Sequence, residues 1–208
     1  MRIAIVGTGH VGAALARGLS GKGHAVTLGA RNPGSDAASA LAAETGSAVT
    51  SPSAAAASAD LVILALPWAA VDAVLEDLGG LDGKIVVDCT NPLGMVDGAL
   101  GLAVGHTSSG GEMVQRRLPQ ARVVKTLNQV GAEVMARNAH FARRPAMLMA
   151  GDDPAAKATV AELLRDLGFD PLDAGDITKS RLLEPFALVW INQALARGKG
   201  RDWAFAIV

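Results

Sequence analysis

The chain has no tyrosine, a single cysteine and only 3% aromatic residues among its 208. The lone Cys89 forms no internal disulfide, which predicts a reducing compartment. His10, His24, His106 and His140 stand too far apart for local metal-ligand spacing, so no structural metal is expected. Excess charge is missing too: 19 Lys and Arg face 20 Asp and Glu, a formal net charge of -1. Nucleic-acid binding needs a basic footprint and usually stacking rings, and the composition offers neither. Arg116-Arg117 and Arg143-Arg144 therefore read as solvated pairs. No apolar run approaches the ~20 residues that span a bilayer, and Leu61 to Ala70 carries a proline. The first residues enter a strand without the basic, apolar and small-residue order of an export signal. These absences predict a soluble, cytoplasmic protein with a small-molecule partner, no nucleic acid and no membrane.

Half of the residues are apolar, enough for a full core without staples. Short β-branched runs alternate with alanine- and leucine-rich stretches: Arg2 to Val6, Val11 to Leu19, Ala25 to Leu28, Ser35 to Thr45. That alternation predicts an α/β fold, a Rossmann-type doubly wound and mainly parallel sheet. A weak edge strand at Ala48 to Thr50 leads into a short helix with Ser51 as N-cap and Pro52 at its first position. Leu61 to Leu66, Lys84 to Cys89 and Val123 to Leu127 read as further strands, and Ser108 or Ser109 would cap a helix near Gly111 to Leu118. Residues 1–143 thus form a nucleotide-binding unit. Residues 144–208 are expected as a small α/β annex completing the cleft: strand Ala146 to Ala150, helix Pro154 to Leu167, strand Pro171 to Ala174, and a last helix from about Ile177 to Ala196. Leu182, Leu183, Phe186, Leu188, Val189, Trp190, Ile191 and Leu195 make that helix apolar over more than one face. It is a core helix, a roof over the site or a subunit interface, and a homodimer through it is expected.

Gly7-Thr8-Gly9-His10-Val11-Gly12 lies between the first strand and the first helix, the context that makes the pattern informative. Gly7 permits the tight turn, Gly9 lets backbone approach a pyrophosphate, and Gly12 lets helix and strand pack closely. The helix start then offers free N–H groups and a partial positive charge to phosphate. His10 reads as a side chain at that helix start. A chain that binds NAD usually places Asp or Glu at the end of the second strand, where it accepts from the ribose hydroxyls and repels a 2'-phosphate. Here Ala30-Arg31-Asn32 follow Gly29. A small residue leaves room, Arg31 supplies a forked cation, and Thr8 and Asn32 add donors, so NADP(H) is the expected cofactor.

Two further strand ends face the same crevice: Ala65-Leu66-Pro67-Trp68, and Asp88-Cys89-Thr90-Asn91-Pro92-Leu93. Pro67 would shape a wall along the cofactor and Asn91 would bond ribose or carboxamide, with Thr90 and Pro92 beside it. Trp68 either meets a ring or covers the sheet edge, and Cys89 reads as a buried strand residue. Without tyrosine there is no Tyr-x-x-x-Lys acid of the short-chain dehydrogenase kind. Nor do enough residues remain for the large helical domain of the β-hydroxyacid and imine reductases. No catalytic acid can be assigned. Hydride transfer to another redox ring needs none, only two rings in contact with water excluded.

Gly7 to Gly12, Arg31-Asn32, Leu66-Pro67-Trp68, Gly151-Asp152-Asp153, Pro171-Leu172-Asp173-Ala174-Gly175 and Ser180-Arg181-Leu182-x-Glu184 together resemble the F420-dependent NADP oxidoreductases over nearly the whole chain. Val123-Val124-Lys125-Thr126-Leu127-Asn128, preceded by Ser108-Ser109-Gly110-Gly111-Glu112, is similar to the cytosolic reductase domain of the STEAP metalloreductases, in which NADPH reduces a flavin. The resemblance implies a two-part α/β fold, a 2'-phosphate on Thr8, Ala30, Arg31 and Asn32, and a nicotinamide between the strand-end loops and the annex. It also implies direct hydride exchange with a deazaflavin or flavin ring. The chain departs from the deazaflavin enzymes where a His-Thr-Ile-Pro-like segment is replaced by Leu127-Asn128-Gln129-Val130. F420, FMN or FAD and a small carbonyl or imine stay open as acceptors, as does a non-catalytic NADP(H)-sensing module. Lys125 and Asn128 are expected to position the carboxamide or a substrate carbonyl, with a solvated strand-end lysine as the alternative.

Overall fold

The computed structural model describes residues 1–208. In chain order its elements are β1 (Arg2–Val6), α1 (His10–Leu19), β2 (Ala25–Gly29), α2 (Asp36–Thr45), β3 (Ala48–Thr50), α3 (Pro52–Ser58), β4 (Leu61–Leu64), α4 (Val71–Leu78), β5 (Ile85–Asp88), β6 (Leu93–Val96), β7 (Ala99–Leu102), α5 (Gly110–Arg117), β8 (Arg122–Lys125), α6 (Ala132–Ala136), β9 (Ala146–Gly151), α7 (Pro154–Asp166), β10 (Asp170–Gly175) and α8 (Ser180–Ile191). Eight strands form one sheet in the order β10-β9-β8-β5-β4-β1-β2-β3. All pairs are parallel except β8 with β9.

Strand alternation divides the core between the two faces of this sheet. Ile3 and Ile5 join Leu15, Val124 and Phe169 on one face, while Ala4 and Val6 join Val62, Leu75 and Val86 on the other. With helices on both faces, β4 and β5 are buried at every position, which is why they read as unbroken apolar runs. Local chemistry sets several helix starts. Ser35, Ser51 and Asp153 accept from the backbone N–H three residues on, and Pro52 and Pro154 occupy positions whose N–H a helix does not use.

The chain leaves β1 for β2 on one side and returns from β3 to β4 on the other. That reversal opens a crevice above the carboxyl ends of β1 and β4, where doubly wound folds bind ligands. From residue 144 onward, β9 and β10 extend the same sheet, and Leu163 and Leu164 of α7 enter the same apolar cluster as Leu15 of α1.

Two elements lie outside the sequence-derived pattern. One is the antiparallel hairpin of β6 and β7, turned by Asp97 and Gly98 with φ of 50° and 81°, the paired positive φ of a two-residue hairpin. The other is α6, five residues long. The ladders of β4 and β8 also stop two residues before the sequence pattern suggests. Pro67 lacks an N–H, and Leu127 turns into the left-handed region at φ 59°.

Candidate active site

Adjacent strand ends bring the first two motifs together, because Val6 of β1 is paired with Gly29 of β2. Gly7 follows at φ 103°, and a Cβ there would stand 2.4 Å from the Ala65 carbonyl oxygen. A Cβ on Gly12 would stand 1.9 Å from the Gly7 carbonyl oxygen. Both positions need glycine for backbone to approach backbone. Gly9 differs: a Cβ there would meet nothing within 4 Å, so its bare Cα opens outward at the start of α1. No side chain caps α1, and no acidic residue lies in its first turn. A helix start of this kind presents unanswered N–H donors and the positive end of the dipole. Thr8 is half-buried beside it, with Gly9 and His10 exposed and Val11 half-buried.

Past the end of β2, Ala30 is buried and donates its N–H to the Thr50 carbonyl at 2.9 Å. Arg31 and Asn32 are exposed, and Arg31 takes part in none of the arginine ion pairs within the chain. On the other side of the crevice, Ala65 is buried, Leu66 is half-buried against Gly7, and Pro67 is exposed. Trp68 is half-buried against the second apolar cluster, its ring 3.1 Å from where a Gly110 Cβ would sit.

Beyond β5 and β8 the structure corrects the sequence-based assignments. Lys125 neither reaches the crevice nor meets solvent. Its side chain has no exposed surface, and its ammonium contacts Asp88 Oδ2 at 3.0 Å, the Thr90 carbonyl at 2.5 Å and Glu184 Oε1 at 3.0 Å. Three donors meet three acceptors, and none is left for a ligand. Burial pulls the Lys125 pKa down, but the Asp88 and Glu184 carboxylates outweigh it and hold the ammonium above its ordinary value. Thr90 is similarly consumed: its N–H and hydroxyl donate to Asp88 Oδ1 at 2.9 and 2.7 Å, and its carbonyl accepts from Lys125. The Asn128 amide donates to Asn91 Oδ1 at 2.9 Å and to the Leu183 carbonyl at 3.3 Å, while its oxygen accepts from Gln129. Asn91 returns a bond to the Asn128 carbonyl at 2.8 Å, and Pro92 is buried. The side chains of Thr90, Lys125 and Asn128 are therefore internal ties, and Asn91 is bound into the same set.

Asp88 and Glu184 were not singled out from sequence as partners of Lys125. One signal was present. Two apolar strands, IVVD and RVVK, end in opposite charges, and the parallel register sets Asp88 beside Lys125. Nothing local announces Glu184, which is 59 positions further on.

Glu184 also accepts from the N–H groups of Gly110 and Gly111, both at 3.0 Å. Ser109 caps α5, its hydroxyl accepting from Glu112 N–H at 3.2 Å and donating to the Glu112 carboxylate at 2.7 Å. Arg181 grips that carboxylate at 2.8 and 2.6 Å. The Arg181 hydrogen bond, with Ser109 adding to it, holds Glu112 below the ordinary carboxylate range. Cys89 is buried, and burial pushes its thiol pKa up, so it is no nucleophile at neutral pH.

The outward side of α8 is apolar. Pro185, Leu188, Val189 and the π-helical turn of residues 192–196 line a cavity of about 670 Å³ that is closed on one side by Ala99 and Leu100 of β7. No helix is long and apolar enough to cross a membrane.

A glycine-rich strand-to-helix turn at a doubly wound switch point is the arrangement of a Rossmann-type dinucleotide-binding fold, here followed by a cation in place of an acid. Comparison with known proteins narrows this. A family model described as NADP oxidoreductase, coenzyme F420-dependent, matches residues 2–92. The chain is 38% identical to a candidate F420-dependent NADP-reductase of Arthrobacter sp. FB24, with a TM-score of 0.89 over 100% of this chain and 99% of that one. It is 30% identical over 191 residues to the metalloreductase STEAP3 of Rattus norvegicus, covering 90% of this chain and 36% of the relative, so it spans about a third of that protein. An imine reductase of Aspergillus terreus solved with NADPH4 shares the fold at 22% identity and a TM-score of 0.70, over 95% of this chain and 63% of that one. The chain belongs to the coenzyme F420-dependent NADP oxidoreductase family.

Proposed function

We propose that the protein transfers a hydride between NADP(H) and a ring acceptor, coenzyme F420 or a flavin such as FMN or FAD. The observation that carries this reading is the bare start of α1, with open Gly9 beside it and the unpaired Arg31 one strand away. Gly7, Gly9 and Gly12 shape the turn, and the α1 N–H groups from His10 and Val11 onward receive the pyrophosphate. Thr8, Arg31 and Asn32 hold the 2'-phosphate, Arg31 through its planar fork, and the small, buried Ala30, whose N–H is taken by Thr50, leaves room for it. Ala65, Leu66 and Pro67, with the backbone of Asn91 and Pro92, form the wall along the nicotinamide half. When bound, NADPH supplies a hydride from nicotinamide C4 and leaves as NADP⁺, while the acceptor gains that hydride and a solvent proton. The protein excludes water and sets the distance between the rings, and no side-chain acid is required of it.

We further assign residues 1–143 to cofactor binding and residues 144–208 to closing the cleft, in a cytoplasmic homodimer. Leu182, Val189 and Leu195 are 62%, 51% and 57% exposed on the last helix and the turn that continues it, apolar surface that a second copy would cover. Light scattering at micromolar concentration should give twice the chain mass, and a monomeric mass would refute the dimer.

Oxidation of NADPH is followed with F420, FMN, FAD and a cyclic imine in turn. Saturable turnover with F420 or a flavin is expected. Turnover with the imine alone would replace this reading with a small-molecule imine or carbonyl reductase. Tight NADPH binding without turnover by any acceptor would leave a sensing module.

A further inference from the structure

Three chain segments meet at one buried ammonium. Lys125 ends β8, Asp88 ends β5, and Glu184 lies in the first turns of α8, with exposures of 0%, 0% and 1%. Lys125 also holds the Thr90 carbonyl, in the loop that leaves β5 toward the crevice. Glu184 cannot shift away, because the Gly110 and Gly111 N–H groups fix both of its oxygens. α5 and α8 also approach each other closely beside it. A Cβ on Gly111 would stand 2.4 Å from Ser180 Oγ, and one on Gly110 would stand 3.0 Å from Glu184 Oε1. One residue earlier, the Leu183 carbonyl is tied to Asn128, whose amide is paired with Asn91. The next residue, Pro185, has no N–H to give the Arg181 carbonyl, so the helix ladder is one bond short at this turn. Between Lys125 and Asn128, the fully buried Leu127 is held at φ 59°, a conformation that leucine adopts only where its surroundings impose it.

Apolar residues of similar volume would stabilise such a position as well as a buried ion cluster does. What the cluster supplies instead is a single geometry. It fixes the start of α8 relative to the loops that follow β5 and β8. We propose that Lys125 is a positioning residue for hydride transfer. Through Asp88, Thr90 and Glu184 it sets the separation between the nicotinamide-side loops and the helix that closes the cleft over the acceptor. The proposal rests on the hydride-transfer function given above. Hydride transfer needs reacting atoms about 3–3.5 Å apart, and a displacement near 1 Å lowers the rate by about 100-fold.

The test uses the 208-residue protein and its Lys125→Met and Glu184→Gln variants; the second keeps the shape and one acceptor oxygen, removes the charge and sets an amide nitrogen, which cannot accept, where the other oxygen stood. NADPH affinity is measured by fluorescence titration. Turnover is measured with whichever of F420 or FMN the wild type reduces, using NADPH and NADPH dideuterated at nicotinamide C4. Expected are NADPH affinities within about twofold of wild type, kcat lowered by about 10- to 100-fold, and a larger isotope effect on kcat as hydride transfer becomes the slow step. A purely structural role would scale kcat with the folded fraction and leave KM and the isotope effect unmoved. That result in Glu184→Gln overturns the proposal even if Lys125→Met fails to fold. A wild type inert toward every ring acceptor overturns the hydride-transfer function and this proposal together. An active wild type whose variants keep its kcat and isotope effect overturns the proposal alone.

Discussion

Two helix starts in this protein follow glycine-rich stretches, and they end in opposite states. At α1, Gly7 to Gly12 lead into a helix with no capping side chain and no acid in its first turn. At α5, Ser109-Gly110-Gly111-Glu112 lead into one whose N–H groups are answered by Ser109 and by both oxygens of Glu184. The two share the dipole, the small residues and the close packing. What separates them is whether the chain supplies its own anion. A helix start already holding an internal carboxylate is a joint between segments; one left bare beside an unpaired arginine is built for a ligand's charge.

Glu184→Ala should break the joint most severely. It leaves Lys125 with one carboxylate and two buried N–H groups without acceptors, and about 3–5 kcal/mol of stability should be lost in denaturant unfolding. A loss below about 1 kcal/mol would mean that the cluster is dispensable. Gly9→Asp should make α1 resemble α5. The backbone at Gly9 has φ -73°, and a Cβ there meets nothing, so the carboxylate fits, caps the helix and adds roughly a few tenths of a kcal/mol of stability. It also repels the pyrophosphate, and NADPH affinity should fall by about 100-fold or more, near 3 kcal/mol. Unchanged affinity in a calorimetric titration would show that α1 does not face the phosphates. Ser109→Ala should cost about 1–2 kcal/mol of stability and leave NADPH affinity as it was, since that cap belongs to the joint. The smallest effect is pH-dependent. Glu112 in the folded chain titrates below its ordinary value of 4.5, so the stability it contributes is present above that pH and is lost as pH falls through the folded value. In Glu112→Gln the acid limb of the melting temperature against pH should be shallower than in wild type, and an identical limb would remove Glu112 from the account.

The bare helix start was legible in sequence because everything that defines it is contiguous: a strand, three spaced glycines and a helix, then Arg31 at the next strand end. The joint was not. Asp88, Lys125 and Glu184 are dispersed, and a residue at a strand end can point into the crevice or into the core. Only the register of β5 with β8, and the packing of α8 across them, decides that Lys125 points inward. Thr90 and Asn128 were misassigned for the same reason, since a polar residue near a site is equally suited to tying loops and to holding a ligand. The Asp97-Gly98 hairpin carried a readable turn signal, but the flanking runs of β6 and β7 include glycines and exposed methionine that weaken them as strands. At five residues α6 is too short to show a helical period.

The central claim is that the bare helix start and Arg31 together select a 2'-phosphorylated dinucleotide. Parallel titrations of wild type and Arg31→Ala with NADPH and with NADH test it directly. The account predicts that wild type prefers NADPH, and that Arg31→Ala loses about 2–3 kcal/mol of NADPH affinity while NADH affinity stays within about twofold. Equal wild-type affinities for the two dinucleotides, or an equal loss of both in Arg31→Ala, would contradict it.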